Sequence, residues 1–317
     1  MRQFYICILY LTLKSFGTCE IILGYNGYTE YQVGNMSLII SVPHGGTLNP
    51  EDIPDRDAGC WDSKTLSCIF SHNCPLGSIQ DFRKCNVGTN QDRNTIEIAR
   101  TLAKEIRSLN GGFLPYLVIN HLQRIKMDAN REKEEATFGI PQAEKAWRDF
   151  MTFMRSAKSQ MLGGLIVDIH GQAHPEQWIE LGYTISKASL NSGKFSASGS
   201  SIRYLASQVH DVSFGTLLRG SRSLGKFIEG QNKTFYPCVP SPTNPKPKTG
   251  NYYKGGYITK TFGSRYTGTV DAIQIELPQW VRDVKEYPKF CKALARAIVH
   301  FWQTNYCSQR NHTFLGC

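Results

Sequence analysis

The sequence predicts an α/β domain, a mixed and mostly parallel central sheet flanked by helices, and two observations carry that expectation. Short apolar runs of strand length are interleaved with amphipathic runs of helix length. No linker or internal repeat divides the 317 residues, and 41% apolar content is enough to bury one sizeable core. One domain is therefore expected over residues 18–317, behind a leader over 1–17.

The leader comes first. Arg2 gives a positive start, residues 4–13 are apolar, and Ser15-Phe16-Gly17 makes a small-x-small exit, the pattern of a secretory signal peptide. That stretch falls short of the roughly 18 apolar residues a membrane-crossing helix takes, and no later segment reaches that length. A secreted, extracellular protein without a transmembrane segment is expected. A buried amino-terminal strand or a signal anchor are the competing readings.

Apolar runs at 38–42, 116–120, 164–169, 178–184 and 272–277 read as strands. Amphipathic runs at 95–109, 142–160, 202–209, 223–229 and 289–304 read as helices between or beyond them. Residues 57–88 have no periodicity, are rich in Gly, Ser and Asn, and hold Cys60, Cys68, Cys74 and Cys85. That stretch is expected to be a disulfide-stapled insertion. A structural zinc knuckle is the alternative, but C-x7-C-x5-C-x10-C lacks the close C-x2-4-C pairs such sites use. Residues 239–250 carry Pro240, Pro242, Pro245 and Pro247, so they form a long loop, read as packed and substrate-facing rather than disordered.

Composition bounds the chemistry. Beyond Cys7 and Cys19, eight cysteines run from Cys60 to Cys317, an even number suited to an oxidising compartment. The sequons Asn35-Met36-Ser37, Asn232-Lys233-Thr234 and Asn311-His312-Thr313 agree with a glycoprotein on the secretory route. The formal charge of +10 falls to +8 without Arg2 and Lys14, and the excess is spread along the chain. It favours anionic small substrates, whereas nucleic acid is not expected as a partner, because no basic stripe interleaved with aromatics is present.

The candidate site rests on four segments. His44 follows the run at 38–42 and precedes Gly45-Gly46; His170 follows the run at 165–169, with Asp168 two residues earlier on the same face. Ligands gather at the carboxyl ends of strands in open α/β sheets, and neutral imidazole is the commonest metal ligand. Two histidines and a carboxylate, with one position left for water, are a standard catalytic zinc set. The third ligand is expected to be an acid, with Asp92 first and Glu51, Asp52 and Asp57 behind it. Alternatively, Asp92 caps the helix that follows.

Arg124, Asn130 and Arg131 follow the strand ending at Asn120-His121, and the donor fork of arginine suits a carboxylate better than lysine does. One arginine would hold a substrate carboxylate and the other would polarise the scissile carbonyl. A solvated basic turn paired with Glu132, Glu134 and Glu135 is the alternative. Glu276 lies inside Ile273-Gln274-Ile275-Glu276-Leu277-Pro278, where burial would raise its pKa toward the range of general acid/base catalysis. Its alternative is a structural ion pair with Arg282. Among the nearby His174, Tyr183, Tyr252, Tyr253 and Tyr257, Tyr257 is taken to bind substrate.

The ordered set V-P-H-G-G at His44, R…D-x-N-R at Arg124 to Arg131, D-I-H at Asp168 to His170 and the glutamate strand at Glu276 resembles the N-formylglutamate amidohydrolase family, a branch of the zinc carboxypeptidase and aspartoacylase group. The resemblance covers roughly residues 38 to 305 and implies a phosphorylase/hydrolase-like α/β fold. It further implies a zinc-bound water, Glu276 as general base and acid, Arg124 at the carbonyl, and Asn130 with Arg131 on a carboxylate. One departure stands out: the wider group often has H-x-x-E, and Thr47 occupies the glutamate position here. A secretory leader and eight cysteines are also unlike a cytosolic histidine-degradation enzyme, so a substrate other than N-formylglutamate is expected.

The expected function is a secreted zinc hydrolase cleaving an amide bond in a carboxylate-bearing N-acyl amino acid or peptide. A non-catalytic secreted protein of the same fold, capturing acidic ligands, is the alternative.

Overall fold

Strands apolar at every position must be covered on both faces, and covering the central strands on both sides fixes the architecture. The computed structural model describes residues 20–231, 236–308 and 314–317. The leader at 1–17, with Cys7, Cys19 and the sequons at Asn232 and Asn311, lies outside them. The strands are β1 (Ile21–Leu23), β2 (Thr29–Gln32), β3 (Leu38–Val42), β4 (Cys60–Asp62), β5 (Ser67–Ile69), β6 (Ser78–Gln80), β7 (Tyr116–Asn120), β8 (Gly164–Gly171), β9 (Ile179–Gly182), β10 (Cys238–Val239) and β11 (Val270–Leu277). Eight of them form one sheet in the order β1-β2-β7-β3-β8-β11-β9-β10. The centre, β7-β3-β8-β11, is parallel, and the antiparallel pairings lie toward its two sides.

The strands and helices expected from periodicity at 95–109, 116–120 and 38–42 match the observed bounds, and the others agree to within a few residues. The sheet edges and the small sheet of the insertion are additions that the pattern did not announce.

Alternate residues of the central strands enter two separate cores. Leu38, Ile40, Val42, Leu165, Val167, Ile169, Ile273 and Ile275 face the helices Thr95–Leu109 and Tyr287–Trp302. Ile39, Val118, Ile166 and Ala272 face the helix Pro141–Ser159. The helix Tyr287–Trp302 buries Phe290, Leu294, Ile298 and Phe301 at three- and four-residue spacing, each worth about 1.5–3 kcal/mol.

The second face changes character along its length. Ile39 is followed by Ser41, Val118 by Asn120, Ile166 by Asp168 and His170, and Ala272 by Gln274 and Glu276, all buried. Apolar positions at the amino ends give way to polar ones at the carboxyl ends, which places the chemistry at one rim of the sheet.

The stretch 57–88 carries β5-β4-β6 as its own small antiparallel sheet, closed by Cys60–Cys74 and Cys68–Cys85. A third disulfide joins Cys307 to Cys317, while Cys238 and Cys291 are buried free thiols. The even count from Cys60 to Cys317 therefore divides into three bridges and two core residues. Among the described residues no helix is long and apolar enough to cross a membrane.

Candidate metal centre and its cavity

Parallel pairing sets His170 beside Glu276 and Asp168 beside Ser41 and Gln274. His44 sits two residues beyond β3, where the chain turns through Gly45-Gly46, and its carbonyl accepts a hydrogen bond of 3.0 Å from the Asp92 amide. Ligand atoms of His44, Asp92 and His170 lie within 4.8 Å of one another, and all three residues are buried. The imidazoles meet edge to face with centroids 4.8 Å apart.

Each ring is oriented by a second carboxylate. Nε2 of His44 lies 2.6 Å from Asp128 Oδ1, and Nε2 of His170 lies 2.9 Å from Asp168 Oδ2. Burial opposes a charge on Asp128, but His44 and Arg124 outweigh it and hold its pKa well below the usual carboxylate range, so Asp128 can only accept. The proton of His44 therefore sits on Nε2, which leaves Nδ1 a lone pair. Nδ1 of His44 and of His170 stand 3.4 and 3.3 Å from the same oxygen, Oδ2 of Asp92. Nδ1 of His44 is buried without a hydrogen-bond partner.

Three ligand atoms that converge in this way could hold a cation, and two imidazoles with a carboxylate form a donor set that suits zinc. In the metal-free protein a proton can take that place. Burial works against a charged His170, but Asp168 and Asp92 more than reverse it and raise its pKa well above the ordinary histidine value. Asp92 is likewise held below the usual range, burial being outweighed by the two histidines. Its side chain does not cap the following helix, whose first turn is entered through Asn94 in the left-handed region (φ 65°).

The group lines a cavity of about 570 Å³. Asp92, Arg124, Asn130, Arg131 and Glu276 line it as well, so all but one of the anticipated residues meet in one place. Tyr257 is the exception. It opens the short helix Tyr257–Phe262 and packs toward Trp147, and it is Tyr252 and Tyr253, just before it, that line the cavity. Tyr183 is a core residue.

Glu276 is buried, which raises its pKa to about 8, with Asp92 and Glu180 adding to the rise and His170 and a 2.7 Å hydrogen bond from Gln274 opposing it. Its expected alternative partner, Arg282, instead donates to the carbonyl oxygens of Leu277, Arg93 and Gln172. Arg124 is held by Asp128 at 2.8 Å, and its fork lies against Gly88, where an added Cβ would come within 2.6 Å of the guanidinium. Arg131 is anchored to Glu135 at 2.9 Å, as the basic-turn reading anticipated, yet still faces the cavity. Asn130 accepts a bond from the Ile258 amide and places Nδ2 3.3 Å from Nε2 of His170.

Sequence reasoning missed Asp128 as the partner of His44. Its signal was the acid two residues before Asn130, inside a segment already singled out. It also missed Lys187 and Lys254, cations of the cavity wall with no motif around them.

No protein-family model matches the sequence, and no curated protein matches it. Solved structures align over most of its length. A gene product of Agrobacterium tumefaciens is 12% identical, with 86% of this chain and 92% of that one covered and a TM-score of 0.45. N-formylglutamate amidohydrolase from Ralstonia eutropha is 10% identical over 86% and 95%, with a TM-score of 0.43. An N-acetylmuramyl-L-alanine amidase from Mycobacterium smegmatis is 10% identical over 84% and 97%, with a TM-score of 0.34. At such identities the chemistry has to be argued from the residues of the site itself.

Proposed function

We propose that this chain is a secreted zinc hydrolase that cleaves an amide bond in a small carboxylate-bearing substrate, an N-acyl amino acid or the carboxyl end of a peptide. The observation that carries the reading is the convergence of His44, His170 and Asp92 on one point, with the buried Glu276 on the neighbouring strand. Bound there, zinc would polarise a carbonyl and bring the pKa of a water toward neutrality.

The remaining work falls to the chain. Glu276, buried on the strand beside His170, accepts a proton in its ionised form during attack and returns it to the leaving nitrogen. Arg124, fixed by Asp128, offers its free fork to the carbonyl oxygen. Arg131 grips the carboxylate, with the Asn130 amide beside it. The four cations lining the cavity, Arg124, Arg131, Lys187 and Lys254, favour an anionic substrate. Three disulfides suit an oxidising, extracellular milieu.

The test is elemental analysis of the purified protein together with a panel of N-acyl amino acids, short peptides and their amidated counterparts. One zinc per chain and hydrolysis confined to substrates with a free carboxylate are expected. Stoichiometric zinc with tight binding of acidic ligands and no turnover would replace the hydrolase with a binding protein of the same fold.

A further inference from the structure

Beside the candidate metal centre lies a further histidine–carboxylate pair that the proposed chemistry does not use. Glu180, in the middle of β9, is fully buried and stands opposite Glu276 in the antiparallel register of β9 and β11. A buried carboxylate is costly unless its oxygens are matched by donors. Nδ1 of His174 lies 2.6 Å from Oε1, and the backbone amide of Tyr253 donates to Oε2 at 2.6 Å.

Both contacts converge on one residue. The imidazole of His174 packs against the Tyr253 ring at a tilt of 31°, with centroids 4.7 Å apart. Glu180 thus holds Tyr253 directly by its backbone and, through His174, by its ring. The surrounding chain is fixed too: the Tyr252 hydroxyl donates to the Leu181 carbonyl at 2.7 Å, and the Thr184 amide donates to the Lys254 carbonyl at 2.6 Å. Tyr253 itself is 50% exposed and lines the cavity. An exposed aromatic whose backbone and ring are both anchored is held for what it faces. Its phenol pKa is raised by burial and further by Glu276 and Glu180, while Arg124 opposes the rise.

We propose that Glu180 and His174 are positioning residues that set Tyr253 as a wall of the substrate cavity, where its ring packs on the acyl or side-chain portion of the substrate. The substrate half of this inference rests on the function proposed above; the positioning half does not. Loss of either anchor leaves Tyr253 in place in the sequence but free to swing, which weakens substrate binding without touching the metal.

The experiment uses the full-length, zinc-loaded protein with His174→Ala, Glu180→Gln and Tyr253→Ala, and reads hydrogen exchange of the peptide spanning residues 250–257 alongside steady-state kinetics. Both anchor substitutions should speed exchange of that peptide about tenfold or more, the size of a hydrogen bond to a charged group, while β9 peptides and zinc content stay as in the parent. KM should rise with kcat little changed, and the rise should vanish when His174→Ala is made in the Tyr253→Ala background. Unchanged exchange in His174→Ala, or a KM effect that persists without Tyr253, overturns the proposal. His174 is only partly buried, so its substitution tests the idea even if Glu180→Gln does not fold. Should no substrate be turned over, the exchange result still decides whether the pair positions Tyr253, separately from the hydrolase reading.

Discussion

The metal rim and the stapled insertion are neighbours in the chain and opposites in construction. The rim is built on β3, β8 and β11, whose side chains are buried almost throughout, so His170 and Glu276 sit on strands that packing makes rigid, with His44 two residues beyond β3. The insertion has three strands of three residues each and leaves Leu66, Leu76, Ile79 and Phe82 largely exposed. It has little core to hold it, and covalent bridges do that work instead. The contrast teaches that chemistry here is placed where packing fixes geometry, while variable surface is placed where two disulfides suffice.

Removing both imidazoles is the strongest blow to the rim. In a His44→Ala, His170→Ala protein, stoichiometric zinc should be lost altogether with the insertion still folded; elemental analysis that still finds one zinc per chain would place the metal elsewhere. Glu276→Gln spares ligands and packing yet removes the proton acceptor, and turnover should fall by about 10²- to 10⁴-fold with zinc retained. A rate within a few-fold of the parent would make Glu276 a structural residue.

Breaking the insertion should do the reverse. Cys68→Ser with Cys85→Ser opens a loop of sequence separation 17 and should cost the insertion about 3 kcal/mol, seen as early proteolytic cutting within 57–88. If the cut protein also lost its zinc, the two regions would not be independent. The mildest change is Asp128→Asn, which keeps the shape around His44 but weakens its orienting partner; zinc affinity should drop about 10- to 100-fold by competition with a chelator. No change would mean that the 2.6 Å contact with His44 is not needed to aim the ring.

The same contrast explains how much could be read in advance. Leu38–Val42 and Val270–Leu277 are legible because a strand covered on both faces is mostly apolar. Thr29–Gln32 is not, since Thr-Glu-Tyr-Gln has no apolar run and owes its strand to pairing with β7. His44, His170 and Glu276 stood out as polar residues at the ends of apolar runs. Asp128 and Glu180 did not, because what assigns them is the nitrogen across from each, on a segment 84 residues away for Asp128 and across a turn for Glu180, and neither contact carries a periodic pattern. Which of Tyr252, Tyr253 and Tyr257 lines the cavity was not legible either, because it depends on where the helix Tyr257–Phe262 begins.

The hydrogen bond from the Asp92 amide to the His44 carbonyl ties together the two ends of the segment that contains the insertion. That segment is therefore a ring closed at its neck. Ring closure is forgiving of circumference: each doubling of length adds only about 0.6 kcal/mol of closure entropy. Related chains could lengthen, shorten or re-staple the insertion, and so reshape the approach to the cavity, while His44 and Asp92 keep their places.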